Sequence, residues 1–172
     1  GRASVLAATS CLALGLGMAE PLLAKKKDKD EEADEEKKGG KTVTRTFSSP
    51  NAVVINDDAT ADPYPSTIQV SGFKKGKVVD VNVILRGLNH GFPDNIDVAL
   101  VAPGGASTVL MSDAGGATDA VSLTLTLDDD AAAALPNASA LESGTFKPAD
   151  HVSGVDTYPS LGVAPTAASL AA

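Results

Sequence analysis

Apolar and polar residues alternate along several short segments of this chain, and this alternation constrains the fold more than any other feature. The clearest segment is Val121–Leu127, where Val or Leu occupies every second position and Ser or Thr fills the positions between them. Alternation with a period of two places the apolar side chains on one face of a β-strand. Residues 79–85 and 96–100 repeat the pattern, and we expect Asp97 to point away from the apolar face.

Shorter candidate strands, separated by turns, extend this pattern along the body of the chain. They are predicted at residues 43–47, 52–55, 67–70 and 108–111. Clusters of Gly, Pro, Asn and Asp separate the predicted strands, as turns require. One stretch, Asp128–Leu135, predicts a short helix, because acidic residues begin it, alanines continue it and Pro136 follows it. Together these signals predict an all-β fold, a jelly-roll-like β-sandwich.

The chain divides into four parts by composition. Residues 1–24 predict a signal peptide whose start is missing, because an apolar run follows Arg2 and a small residue precedes a charged segment. Residues 25–41 hold seven Lys, seven Asp or Glu and no large apolar residue, which predicts a disordered linker. Residues 42–154 carry the predicted sandwich, and residues 155–172 form an Ala- and Pro-rich tail. We expect the domain to be truncated, and the protein to be secreted or held at the cell surface.

The net charge of −8 lies entirely on the part of the chain after the linker. From residue 42 onward there are six Lys or Arg against fourteen Asp or Glu. An acidic surface repels phosphate backbones, so we do not expect nucleic acid as a partner. Plain solubility explains this charge, and beyond the export signal we expect no contact with a membrane. The single cysteine, Cys11, excludes an internal disulfide.

Asp and Asn residues cluster in the predicted turns, and calcium is the ion that suits them. Calcium binds about six to eight oxygen atoms from carboxylates, amides and backbone carbonyls. The candidate ligands are Asp57, Asp58, Asp94, Asp97 and Asp113. The competing interpretation, which we favour, is ordinary turn chemistry, in which Asp and Asn side chains hydrogen-bond the nearby backbone. One Cys and two distant His residues do not form a recognisable zinc site.

The sequence contains no recognisable catalytic arrangement, and we predict that the chain is not an enzyme. Serine catalysis needs a nucleophile on a strained turn with a base beside it, and no Gly-x-Ser-x-Gly segment is present. His90 lies in a predicted loop, where its simplest role is to hydrogen-bond the backbone or Asp94. His151 lies in a second loop and has no evident partner in the sequence.

A group of residues between Gly87 and Gly105 carries a family likeness. The group consists of a His, an aromatic residue, two Asp and a Pro-Gly-Gly turn: His90, Phe92, Asp94, Asp97 and Pro103-Gly104-Gly105. It resembles the central signature of the P domain (P/Homo B domain) of subtilisin-like proprotein convertases, and the likeness extends over roughly residues 47–148. The chain departs from the family by having no Trp for the closing Gly-x-Trp strand, and by having Asn95-Ile96 where Asp-Leu is usual.

The resemblance implies a jelly-roll sandwich that stabilises a neighbouring subtilisin-type protease, often with Ca²⁺, or that occurs on a bacterial exported protein without one. We therefore predict an exported, non-catalytic accessory or binding module whose partner is a protease or a cell-surface protein. Two alternatives stay open. One is a fragment of a subtilisin-like serine protease whose catalytic domain lies outside this chain. The other is a carbohydrate-binding module, which the scarcity of Trp and Tyr disfavours.

Overall fold

The computed structural model describes residues 3–10, 42–73, 76–151, 156–159 and 169–170. These residues form β-strands and one short 3₁₀ turn, Pro93–Asn95, with no α-helix among them. The strands are β1 (Ala3–Ser10), β2 (Ser66–Gln69), β3 (Val83–His90), β4 (Ile96–Val101), β5 (Ser107–Ser112), β6 (Ala120–Leu127), β7 (Gly144–Phe146) and β8 (Ala149–Asp150). The all-β prediction is confirmed for this described part of the chain. The same residues contain no helix long and apolar enough to cross a membrane.

The strands form two small mixed sheets. The larger sheet has the strand order β2-β1-β4-β5-β8, and the smaller one has the order β3-β6-β7. β4 and β5 are antiparallel, and the turn between them is closed by a hydrogen bond from Ala102 N to Ala106 O of 2.8 Å. β1 runs parallel to both of its neighbours, and β7 runs parallel to β6.

The two sheets contribute to one hydrophobic core. Ile96, Leu110 and Met111 of the larger sheet are fully buried in the same cluster as Leu125 and Leu127 of the smaller sheet. Burial of one such side chain contributes about 1.5–3 kcal/mol. Contact between the sheets therefore holds β4 and β5 in place.

Strand β4 is covered on both faces. Ile96 and Val98 belong to the main core, whereas Ala99 on the opposite face is covered by Tyr158, with Tyr64 packed beside them. Asp97 shares that second face, and it is only 2 % exposed. It therefore points away from the main core, as its place in the alternation predicts, but it points into a second buried region and not into water.

The alternation of β6 is interrupted where the sequence shows no fault. Leu125 is buried, but Val121 is 66 % exposed and its neighbour Ala120 is buried instead. The register between β3 and β6 shifts at two places, and Gly87 and Ser122 have positive φ angles of 66° and 53°. These features are β-bulges. Because a bulge adds one residue to a strand, the side chains beyond it that would face the core face the opposite side.

Two of the shorter strand predictions and part of a longer one are wrong. Residues 43–47 form no strand, and the ring of Phe47 packs against Phe73, with 5.9 Å between the ring centroids. Residues 52–55 contribute one isolated bridge, and β3 begins at Val83, four residues later than predicted. Alternation indicates a suitable strand sequence but does not supply a partner strand for its backbone.

The helix predicted at Asp128–Leu135 is wrong. The Asp130 amide donates a hydrogen bond to Asp128 Oδ1 at 2.8 Å, which closes a turn. Beyond this turn, Ala133 O accepts from Lys147 N at 2.8 Å, and Leu135 N donates to Lys147 O at 3.2 Å. A run of four alanines favours a helix only weakly, because the first helical turn is costly to form. Pairing with residue 147 satisfies these backbone groups instead.

Described residues at both ends of the chain belong to the folded body. β1, which pairs with β2 and β4, falls within the segment predicted to be a signal peptide. The predicted linker, residues 25–41, lies outside the described residues. In the predicted tail, Tyr158 and Leu170 are buried, so the core extends past residue 154. β7 and β8 were not predicted.

Candidate functional site

Three carboxylates converge on one serine hydroxyl at the end of β5. The Ser112 Oγ lies 2.7 Å from Asp156 Oδ2, 3.0 Å from Asp97 Oδ1 and 3.2 Å from Asp113 Oδ2. One oxygen atom from each carboxylate lies within 4.8 Å of the other two. We call Asp97, Ser112, Asp113 and Asp156 the acidic cluster.

The two central strands bring most of this cluster together. Val98 of β4 pairs with Met111 of β5, so Asp97 and Ser112 are adjacent across the antiparallel ladder. Asp113 follows directly and has a φ of 50°, which lies in the left-handed region that Asp tolerates better than most residues. Asp156 comes from the separate segment 156–159, and forty-four residues separate it from Ser112.

Burial gives the cluster its electrostatic character. Asp97 and Asp113 are 2 % and 3 % exposed, Ser112 is fully buried and Asp156 is half-buried. Burial disfavours an ionised carboxylate, and nearby carboxylates repel one another when both are charged. A position that gathers three carboxylates therefore favours a compensating positive charge.

Tyr158 lies beside the cluster on the same face of β4. Its side chain is buried against Ala99, and its hydroxyl oxygen has no hydrogen-bond partner. Burial raises the pKa of Tyr158 above its ordinary value, and the negative charges of Asp97 and Asp156 raise it further. The phenol hydroxyl bonds neither of these two carboxylates.

The structure unites two of the five predicted calcium ligands. Asp97 and Asp113 belong to the acidic cluster, which is the one such group of three or more His, Cys, Asp or Glu side chains in the described residues. Asp57, Asp58 and Asp94 stand outside it, and calcium binding at the predicted Asp and Asn turns stays a prediction. The backbone N–H of Asp94 donates to Gly116 O at 3.3 Å.

Sequence reasoning missed Asp156. It lies in a segment that has lost the alternation and was assigned to the tail, with no Asn, Gly or second Asp beside it. No local signal distinguishes it from any other surface carboxylate. Tyr158, two residues away, packs on β4 in the same segment that brings Asp156 to Ser112.

Both histidines bind the backbone. His90 Nδ1 lies 2.8 Å from Phe92 O and 3.1 Å from Phe92 N, which confirms the predicted backbone contact, although His90 is the last residue of β3 and not a loop residue. His151 Nε2 lies 2.8 Å from Leu135 O, a partner that the sequence did not indicate. In the described residues neither imidazole hydrogen-bonds a serine or a carboxylate, which is the arrangement that activates a nucleophile.

Comparisons of the chain with protein-family models, with curated proteins and with solved structures found no match. The resemblance to the P domain therefore stays a prediction that rests on the motif between His90 and Gly105.

Proposed function

We propose that this chain is an exported, non-catalytic accessory module that binds or stabilises a protein partner, either a protease or a cell-surface protein. In this proposal the fold is a jelly-roll-like β-sandwich of the P-domain kind. One observation carries it: His90 and His151 are both bound to backbone groups, while the buried polar cluster consists of carboxylates and one hydroxyl. Such a cluster can join chain segments or bind an ion, and it has no imidazole beside its hydroxyl to form a Ser-His pair.

The placement of Ser112 also supports a non-catalytic role. Its hydroxyl contacts all three cluster carboxylates, and it is fully buried between β4, Asp113 and Asp156. A nucleophile must reach the substrate from a cleft or a surface turn. A buried hydroxyl that contacts three carboxylates serves to join chain segments.

The use of the two tyrosines supports a protein partner over a sugar. The Tyr64 hydroxyl donates to Pro159 O at 2.6 Å, and Tyr158 is buried against β4. Neither ring is therefore free to form the flat platform on which a sugar stacks, and the chain has no Trp. Large apolar side chains that stand exposed in the described residues, among them Phe73 and Phe92, suit a protein interface better.

Export and processing can be tested together with catalysis. We would express the full chain in a bacterial host, recover the extracytoplasmic form, determine its first residue and assay it against a broad mixture of peptides. We expect the exported form to begin at Lys25, after a cleavage that removes β1 from its place between β2 and β4. We expect no peptide turnover above the blank.

The controls are His90→Ala and His151→Ala, which should leave the blank-level turnover unchanged. Turnover that persists through repurification and disappears in His90→Ala would contradict the non-catalytic part of the proposal. An exported protein that still contains residues 3–10 would contradict the cleaved signal peptide and would make β1 a permanent strand of the sheet.

A further inference from the structure

We propose that the acidic cluster is a binding site for one Ca²⁺ ion, with Asp97, Asp113 and Asp156 as carboxylate ligands and Ser112 as a neutral oxygen beside them. This site differs from the one predicted from the turns, because it includes Asp156 and excludes Asp57, Asp58 and Asp94. It does not depend on the accessory function, since an ion can bind here whatever the partner of the module is.

The spacing of the oxygen atoms fits calcium. Ca²⁺ binds oxygen at about 2.3–2.6 Å, so two oxygens on opposite sides of one ion lie about 4.6–5.2 Å apart. The three carboxylate oxygens, all within 4.8 Å of one another, can therefore reach one ion with little movement. Mg²⁺ demands a near-ideal octahedral shell and usually keeps several waters, so a site with three protein carboxylates suits Ca²⁺ better. The all-oxygen ligand set also disfavours zinc and copper, which prefer imidazole or thiolate.

The hydroxyl of Ser112 is shared among three carboxylate neighbours. It carries one hydrogen and can donate it to one carboxylate at a time, yet all three lie 2.7–3.2 Å from Oγ. At the other two contacts, a lone pair of the hydroxyl faces a carboxylate oxygen. A cation among these four oxygen atoms would attract all of them, because hydroxyl and carboxylate oxygens can each direct a lone pair at it.

The hydroxyl of Tyr158 is the second, independent observation. It is buried against Ala99 on the face of β4 that carries Asp97, it belongs to the same segment as Asp156, and it lacks a hydrogen-bond partner. Buried hydroxyl groups are nearly always hydrogen-bonded, and an exception needs an explanation. A water molecule in the coordination shell of the ion supplies the missing partner, since calcium sites complete their shell with waters.

An ion in this position would link three parts of the chain. Asp97 lies in β4, Asp113 begins the loop after β5, and Asp156 belongs to the segment that covers the second face of β4. Binding would therefore fix residues 156–159 to the larger sheet and stabilise the folded chain by mass action. Without the ion, repulsion among the carboxylates should loosen this segment first.

Calcium titration of the chelator-treated full chain tests the proposal. We expect one bound ion per chain by calorimetry, and a melting temperature raised by about 5–10 °C when calcium is a hundredfold above its Kd. Asp156→Asn should weaken binding at least tenfold, whereas the matched control Asp57→Asn should leave both the Kd and the rise unchanged. Asp156 is the position to vary because it is only half-buried.

Terbium tests the location of the site. Tb³⁺ replaces Ca²⁺ at oxygen sites and emits when a nearby aromatic ring transfers energy to it. The chain has two tyrosines and no Trp, so emission excited through tyrosine reports an ion near Tyr64 or Tyr158. We expect strong emission that calcium displaces, and we expect Tyr158→Phe to lose most of it while still binding calcium.

Several results would overturn the proposal. They are the absence of calcium binding by the wild-type chain, an equal rise in melting temperature with Mg²⁺, and an equal loss of binding in Asp57→Asn and Asp156→Asn. Terbium that binds without tyrosine-sensitised emission would place the ion elsewhere. If circular dichroism shows that a variant does not fold, the wild-type measurements with calcium, magnesium and terbium still test whether the chain has a calcium site.

Discussion

Strands β4 and β6 have the same kind of sequence but lie in different surroundings. Both were predicted from alternating apolar residues, and both form. β6 belongs to the three-stranded sheet, where Leu125 and Leu127 are buried while Ser122 and Thr124 are exposed. In β4, between β1 and β5, the four residues from Ile96 to Ala99 are all buried.

This difference shows what alternation can establish. A period of two determines which side chains share a face, because successive side chains of a strand point to opposite sides. It does not determine whether the second face meets water or protein. In β4 the second face is covered by Tyr158, and for that reason a polar alternate residue, Asp97, becomes a buried one. The candidate site is buried because Tyr158 covers this face of β4.

The largest expected effect is the difference in stability loss between a buried and an exposed position of β6. Leu125→Ala should lower the free energy of unfolding by about 2–5 kcal/mol, because it removes a fully buried side chain and leaves a cavity. Val121→Ala, at a position of the same phase in the sequence, should change it by no more than about 0.5 kcal/mol, because Val121 is 66 % exposed. Urea unfolding of the purified full chain measures both. Equal losses would mean that β6 alternates without a bulge.

Much of the fold was predictable from local sequence, and the failures have a common cause. β2, β4, β5 and β6 were predicted because each carries its own pattern of apolar residues. β7 and β8, with three and two residues, are too short to show a period. The helix at Asp128–Leu135 failed because its backbone pairs with Lys147, a contact that no local pattern encodes. The missing information in each case is the identity of a distant partner.

The candidate site follows the same rule. Asp97 and Asp113 were predicted because they lie beside recognisable strands and turns. Asp156 was missed because it reaches the site through a contact across forty-four residues. Asp57, Asp58 and Asp94 carry the same local signal as Asp97 and Asp113, but the fold places them outside the cluster. Residue type and turn context alone do not show which Asp side chains the fold brings together.

A second prediction concerns the loop that follows Asp113, on the β4–β5 side of the comparison. Gly115 has a φ of 95°, and a Cβ there would lie 2.5 Å from Leu141 Cγ. Gly115→Ala should therefore lower the free energy of unfolding by about 2–4 kcal/mol, from backbone strain and overpacking together. Urea unfolding measures the loss.

The matched control for this loop is Gly105→Ala in the turn between β4 and β5. Gly105 has a similar φ of 87°, but a Cβ there would meet nothing within 4 Å. Backbone strain alone should cost about 1–2 kcal/mol at this position. If Gly105→Ala is as damaging as Gly115→Ala, close packing of the loop against Leu141 is not what requires the glycine.

The smallest expected effect tests the bulge in β6 directly. Ser122 is an exposed residue held at a φ of 53°, a region that costs an L-residue about 1–2 kcal/mol and glycine much less. Ser122→Gly should therefore raise the free energy of unfolding by about 0.5 kcal/mol, after the greater flexibility of glycine in the unfolded chain is subtracted. Thr124→Gly, at an exposed and regular position of the same strand, should lower it by about 1 kcal/mol. The opposite signs are the decisive result, because a regular strand at Ser122 would make both substitutions destabilising and would remove the reason for the exposure of Val121.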